Sequence, residues 1–191
     1  MKALIIGILI LALVGACFDK ANAADRASTV KNSNSQKLDR ALFGMGCFWK
    51  SQFVFSKVPG VVKTTVGYSG GNVPNPTYMQ VCTHKTGHVE TVLVEFDPNK
   101  TTYRKLLEVF WNHHDPTTVD RQGPDVGDNY KSIIFYTSPE QRKEAFLYKD
   151  ELEKSHQFQA PIVTAIEPAK PFFPAEDYHQ NYFVKHGEVC N

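Results

Sequence analysis

Hydrophobic positions change period several times along the chain, and each change marks an element. Ala41-Leu42-Phe43 is a short apolar run ending in Gly44-Met45-Gly46, the pattern of a strand entering a glycine turn. From Cys47 the run CFWKSQFVFSKV sets Phe48, Gln52 and Phe55 one turn apart, which predicts a helix starting near Cys47 and stopped by Pro59-Gly60. Residues 61–68 (VVKTTVGY) are β-branched and predict a strand, residues 69–77 a loop, and residues 91–96 (TVLVEF) a further strand closed by Asp97-Pro98-Asn99. Tyr103, Leu106, Leu107 and Phe110 recur at i, i+3, i+4 and i+7, an amphipathic helix. Residues 115–129 hold two Pro, two Gly and four Asp and read as a long loop. Residues 132–136 predict a strand, and Ser138-Pro139-Glu140-Gln141 is a capping box with proline at the first helical position, starting a helix to about Lys154. Residues 161–166 supply a last strand, and the tail beyond them, with three Pro, is irregular.

The order β-α-β-loop-β-α-loop-β-α-β-tail has too few helices for a doubly wound sheet. It predicts an α+β fold: a two-layer α/β sandwich with a ferredoxin-like antiparallel or mixed sheet, helices on one face, and long loops that carry the site.

The first residues follow a different pattern. Met1-Lys2 is a positive start, residues 3–16 carry no charge, and Ala21-Asn22-Ala23 is an A-x-A cleavage signature. Fourteen apolar residues are short for a bilayer span and suit a signal peptide. The expectation is a signal peptide at 1–23, a polar linker at 24–38 and a single domain at 39–191, exported to a periplasm or secreted. Val14-Gly15-Ala16-Cys17 competes as a lipoprotein box, which would anchor the chain to a membrane through Cys17.

Composition narrows the function. With Lys+Arg 21 against Asp+Glu 20, a net charge of +1 argues against binding nucleic acid by bulk charge. An aromatic content of 12% is too rich for a disordered chain. Cleavage after Ala23 leaves three cysteines, Cys47, Cys82 and Cys190, and an odd number in an exported protein leaves at least one free thiol.

That thiol is best placed at Cys47. A cysteine between a glycine turn and a helix start lies near free peptide N–H groups and the positive helix end, which favour a thiolate. Phe48 and Trp49 beside it could wall an apolar slot. Glu90, in GHVE at the head of a strand, is a carboxyl that desolvation could keep protonated as a general acid. Tyr78 in NPTY, and Asp125 and Tyr130 in RQGPDVGDNY, lie in or beside loops, where a hydroxyl can donate to a substrate oxygen or simply anchor the loop. Cys190, in HGEVC, could reach another sulfur or be incidental. Cys82, His84 and His88 invite a metal reading, but their spacing matches no standard zinc pattern, and no metal is expected.

Seven stretches together resemble one family. GMGCFW at 44–49, PGVVKTTVGYSGG at 59–71, NPTY at 75–78, TGHVE at 86–90, DPTT at 115–118, RQGPDVGDNYKS at 121–132 and AEDYHQNY at 175–182 are similar, in order, to the A-type methionine sulfoxide reductases, peptide-methionine (S)-S-oxide reductases. The resemblance implies an oxidoreductase that repairs oxidised methionine through Cys47 as nucleophile and a sulfenic acid intermediate. It implies Glu90 as proton donor to the sulfoxide oxygen, Tyr78 and Tyr130 as the hydroxyls holding that oxygen, and Phe48 and Trp49 as walls for the substrate methyl. Asp125 would be an acidic neighbour of the nucleophile and Cys190 the resolving cysteine. It further implies a monomer with no bound cofactor, an external thioredoxin-like dithiol donor, and oxidised proteins or free methionine sulfoxide as substrates. One departure stands out: most members have Glu where this chain has Gln52. A metal- or peptide-binding module without turnover is the competing class, separable by a sulfoxide reduction assay run with and without a chelator.

Overall fold

Strand β1 (Asp39–Met45) is buried on both faces from Ala41 onward, and that decides the layering. The computed structural model describes residues 37–187, so the expected signal peptide, Cys17, most of the linker and Cys190 lie outside the described residues. Ala41, Phe43 and Met45 face one way, into a cluster with Phe55 of α1 (Phe48–Ser56), Leu106, Leu107, Phe110 and Trp111 of α3 (Tyr103–Asn112), and Ala145 of α4 (Pro139–Ser155). Phe43 stacks on Phe55 at 5.1 Å and on Phe110 at 5.3 Å. Burying one such ring stabilises the fold by roughly 1.5–3 kcal/mol. Leu42 faces the other way, with Val89, Ile133 and Phe135, and Phe172 from the C-terminal stretch packs over them.

Six strands form the sheet, in the order β7-β6-β1-β3-β2-β8: β2 is Val61–Ser69, β3 Val89–Phe96, β6 Ser132–Tyr136, β7 Ala165–Pro168 and β8 Phe173–Pro174. All pairings are antiparallel except β6 with β7. A parallel neighbour needs a crossover, and α4 supplies it. The mixed sheet with α1, α3 and α4 on one face matches the expected α+β sandwich.

Three boundaries differ from the sequence pattern. Strand β3 begins at Val89, which puts Glu90 inside the ladder opposite Tyr68. The last long strand begins at Ala165 rather than Pro161: Pro161 has no N–H to give, and the Val163 N–H goes to Pro116 O at 2.8 Å. The tail is not wholly irregular, adding β8 and a short helix, α5 (Tyr182–His186). Between β2 and β3 a connection carries α2 (Tyr78–Val81), and a two-stranded ribbon, β4 (Arg121–Gln122) with β5 (Asp125–Val126), precedes a 3-10 turn at Asp128–Tyr130.

Candidate active site

Cys47 caps α1 directly after Gly46, whose φ of +88° lies where L side chains are strained. A Cβ at Gly46 would also come within 2.5 Å of Gln122 Cγ, so the β4–β5 ribbon rests on the turn. The Cys47 carbonyl accepts from the Ser51 N–H at 3.2 Å and the Ser51 hydroxyl at 3.1 Å, which fixes the first turn.

Glu90 meets this helix start from the sheet. It is 2% exposed, and its Oε2 accepts the Phe48 N–H at 3.1 Å. Burial, with a smaller push from Asp125, raises its pKa from 4.5 to about 8, against the Phe48 N–H and the Asn129 amide, which lower it. The carboxyl is therefore largely protonated near neutral pH.

The thiol departs from the sequence expectation. Burial first and the Glu90 charge second push Cys47 up from 9.0 to about 12, outweighing the Trp49 and Lys50 peptide N–H groups that lower it. The helix start alone does not win, because two carboxyls and an apolar wall surround the sulfur. Cys47 rests as a thiol.

Aromatic rings enclose one side. Phe48 is buried, with ring centroids 5.9 Å from Tyr68, 6.3 Å from Trp49 and 5.1 Å from His179. Trp49 is half-buried and stacks on Tyr182 at 3.7 Å, nearly parallel at 6°. Tyr78 opens α2 behind a Thr77–Gln80 capping box, and its N–H donates to Glu176 Oε1 at 2.9 Å. Burial, the Cys82 side chain on its hydroxyl and the Glu90 charge all raise the Tyr78 pKa. Burial and the same Glu90 charge raise Tyr130 to about 12. Both phenols thus stay protonated donors, and both sense the Glu90 carboxyl. Cys47, Phe48, Trp49, Tyr78, Glu90, Asp125 and Tyr130 are brought together; Cys190 lies outside the described residues.

Sequence reasoning assigned no role to four other residues here. Asn129 is fully buried, and its side-chain amide lies close enough to the Glu90 carboxyl and the Tyr130 hydroxyl to lower the pKa of both. Tyr68, Glu176 and His179 are buried or half-buried behind the aromatic wall. A Glu and a His three residues apart inside the quoted stretch AEDYHQNY were the available signal. Four other histidines bond to loop or backbone groups instead. His84 pairs with Asp128 at 3.2 Å, His88 bridges the Gly71 N–H and the Val73 carbonyl, and His113 and His114 each contact a backbone carbonyl of α3. Among the described residues no three His, Cys, Asp or Glu side chains gather as metal ligands.

Comparison with known proteins bears on this geometry. Residues 39–191 match the family model for peptide methionine sulfoxide reductase. The chain is 56% identical over 152 residues to peptide methionine sulfoxide reductase MsrA of Methanoculleus marisnigri, covering 80% of this chain and 93% of that one. Its fold is similar to Mxr1 of Saccharomyces cerevisiae in reduced form, with a TM-score of 0.75 and 34% identity over 81% of this chain and 89% of that one. The same yeast protein in complex with Trx2 matches with a TM-score of 0.55 and 26% identity, over 81% and 90% of the two chains.

Proposed function

We infer the reaction on a settled premise: the chain belongs to the peptide methionine sulfoxide reductase family and is an oxidoreductase, a peptide-methionine (S)-S-oxide reductase. The observation that carries the detailed reading is the buried, proton-bearing Glu90 on the N–H that follows Cys47. In that reading the sulfoxide oxygen sits among Glu90, Tyr78 and Tyr130, and the methyl group rests against Phe48 and Trp49.

Hydrogen bonding and protonation of the oxygen make the substrate sulfur electrophilic. The Cys47 sulfur attacks it and forms an S–S bond, Glu90 gives its proton to the oxygen, and the S–O bond of the substrate breaks as hydroxide leaves. Attack of that hydroxide on the Cys47 sulfur breaks the S–S bond, so methionine leaves reduced by two electrons and Cys47 is oxidised by two electrons to a sulfenic acid. The thiol proton of Cys47 replaces the one Glu90 gave, so the step needs no outside proton. Asp125 adds negative charge near both groups and helps keep the Glu90 proton in place. Cys190 then condenses with the sulfenic acid, releasing water and forming a Cys47–Cys190 disulfide. An external dithiol of thioredoxin type reduces that disulfide by exchange; the yeast relative crystallised with Trx2 supports such a donor. Oxidised proteins and free methionine sulfoxide are both substrates. Three fixed substituents around a chiral sulfur admit one epimer, the S form.

The test is reduction of each sulfoxide epimer with dithiothreitol, with and without a chelator. Activity on the S epimer alone, unaffected by chelator and abolished by Cys47→Ser, is the expected result. Equal consumption of both epimers rejects the pocket assignment.

A further inference from the structure

The stretch Ala175–Tyr182 has no part in the proton and sulfur chemistry, yet its side chains bond to Trp49, Tyr68 and Tyr78 around the pocket. The Trp49 indole N–H donates to His179 Nδ1 at 3.1 Å, and His179 is 1% exposed. An indole N–H can only donate, so Nδ1 must present its lone pair and the ring proton must sit on Nε2. Nε2 faces Glu176 Oε2 at 4.0 Å. The same carboxylate accepts the Tyr68 hydroxyl at 3.0 Å and the Tyr78 N–H at 2.9 Å. Burial keeps His179 below its ordinary pKa and hence neutral. Glu176 and His179 therefore tie the residue that carries one oxygen-binding hydroxyl to the indole that borders the methyl group.

Stacking cannot hold that indole by itself. Tyr182 lies flat on Trp49, and a flat stack resists tilting but lets a ring slide or turn within its own plane. A directional N–H acceptor removes that freedom. We infer that His179 is a positioning residue for sulfoxide reduction: as the Nε2–H tautomer it accepts the Trp49 indole N–H and fixes the wall against which the substrate methyl group packs. This rests on the reading of Trp49 given under the proposed function. His179 acts through Trp49 and touches no reacting atom.

The experiment compares the S-sulfoxides of N-acetylmethionine amide and its ethyl homologue in single turnovers of the full chain. One methylene against a shaped apolar wall is worth about 10-fold or more in discrimination. His179→Phe should lower the methyl-over-ethyl preference about tenfold, mostly by weakening half-saturation for the methyl substrate. His179→Asn, whose amide oxygen stands near the Nδ1 position, should recover most of the preference. Trp49→Phe should cause the same loss, and the double variant no more than either single one, since the two residues act as a unit. A His179→Phe enzyme slowed equally on both substrates would show a purely structural role and overturn the inference. If Trp49→Phe keeps full discrimination, the wall assignment itself fails. If only Trp49→Phe loses it, the assignment stands and the role of His179 falls. The tautomer is read independently of any variant: nitrogen-15 spectra of the wild-type imidazole should show Nδ1 bare and Nε2 protonated, and a protonated Nδ1 rejects the inference.

Discussion

The Glu90 carboxyl and the Phe48 peptide N–H meet at 3.1 Å, so the group that holds a proton against its ordinary pKa is fastened to the residue next to Cys47. Two effects of Glu90 then oppose each other. Its charge raises the Cys47 pKa, and in the proposed mechanism its proton assists departure of the sulfoxide oxygen. Glu90→Gln separates them. Gln can still accept the Phe48 N–H but carries neither charge nor acidic proton. Methionine release in a single turnover should fall by about 10²-fold or more, the usual size of general acid catalysis. Alkylation of Cys47 by iodoacetamide at pH 8 should instead become faster, because the charge that raises the thiol pKa is gone. Both rates falling together would mean that the substitution merely deforms the site.

Glu90 also has a signature in stability. Its folded pKa of about 8 exceeds the unfolded value near 4.5, so folding is progressively penalised as pH rises from 4.5 to 8, at up to about 1.4 kcal/mol per pH unit. His114 acts the other way. It is half-buried, with its ring against the Phe110 carbonyl and the Ser132 hydroxyl, and desolvation drops its pKa from 6.5 to about 4. Its contribution is complete above pH 6.5 and is lost as pH falls toward 4, and the lowered pKa of His179 adds in the same direction. Between pH 4.5 and 6.5 the Glu90 and histidine slopes oppose. Denaturant unfolding should show Glu90→Gln gaining on wild type from pH 4.5 to 8, by a few kcal/mol in all, and then levelling off. A difference that stays constant across that range would contradict the raised Glu90 pKa.

Much of this was legible in the residues. The GMGC turn located Cys47, since a strand, two glycines and an aromatic helix leave the thiol little other place. The periodicity of α3 and the capping box at Ser138 that starts α4 located two helices, and both pack on one sheet face. What escaped depended on contacts distant in sequence. The Cys47 pKa is raised first by burial, then by the charge of Glu90 and last by that of Asp125, and all three depend on a strand and a ribbon that arrive from far along the chain. Glu176 and His179 sit in a stretch without periodicity, where only tertiary pairing with Tyr68, Tyr78 and Trp49 gives them meaning. The shift of the last long strand to Ala165 likewise follows from a bond to Pro116 that no local pattern encodes.

Gln52 explains itself in the same way. It is 2% exposed, its amide donates to Thr64 O at 3.1 Å and to Gln180 Oε1 at 3.4 Å, and its Oε1 accepts the Asn181 N–H at 2.6 Å. Gln180 in turn bonds both backbone groups of Val66. The position therefore fastens the C-terminal stretch to α1 and β2. A carboxylate there would set its charge against the Thr64 carbonyl and the Gln180 oxygen. Gln52→Glu should destabilise the fold by about 1–3 kcal/mol at pH 8 and by less at pH 5, where a protonated carboxyl can again donate. Unchanged melting with an altered Cys47 alkylation rate would show instead that residue 52 tunes the thiol.

Recycling of Cys47 has two candidate partners in the chain expected after cleavage at Ala23. Cys82 follows α2 as its cap, and its side chain engages the Tyr78 hydroxyl, so moving it toward Cys47 would break a contact that holds an oxygen-binding group. Disulfide formation requires Cα atoms about 4.4–6.8 Å apart, a strict demand on a residue anchored in that way. Cys190 lies three residues beyond Gly187, which closes α5 with a φ of +68°. Tyr182, stacked on Trp49, lies eight residues before Cys190 in the chain. One equivalent of methionine sulfoxide added to reduced enzyme should therefore yield a Cys47–Cys190 disulfide on peptide mapping. Cys190→Ser should release one methionine per enzyme and then stall with a protein dithiol donor, while dithiothreitol restores turnover by reaching the sulfenic acid directly. A mapped Cys47–Cys82 bridge, or full turnover of Cys190→Ser with the protein donor, would remove Cys190 from the cycle.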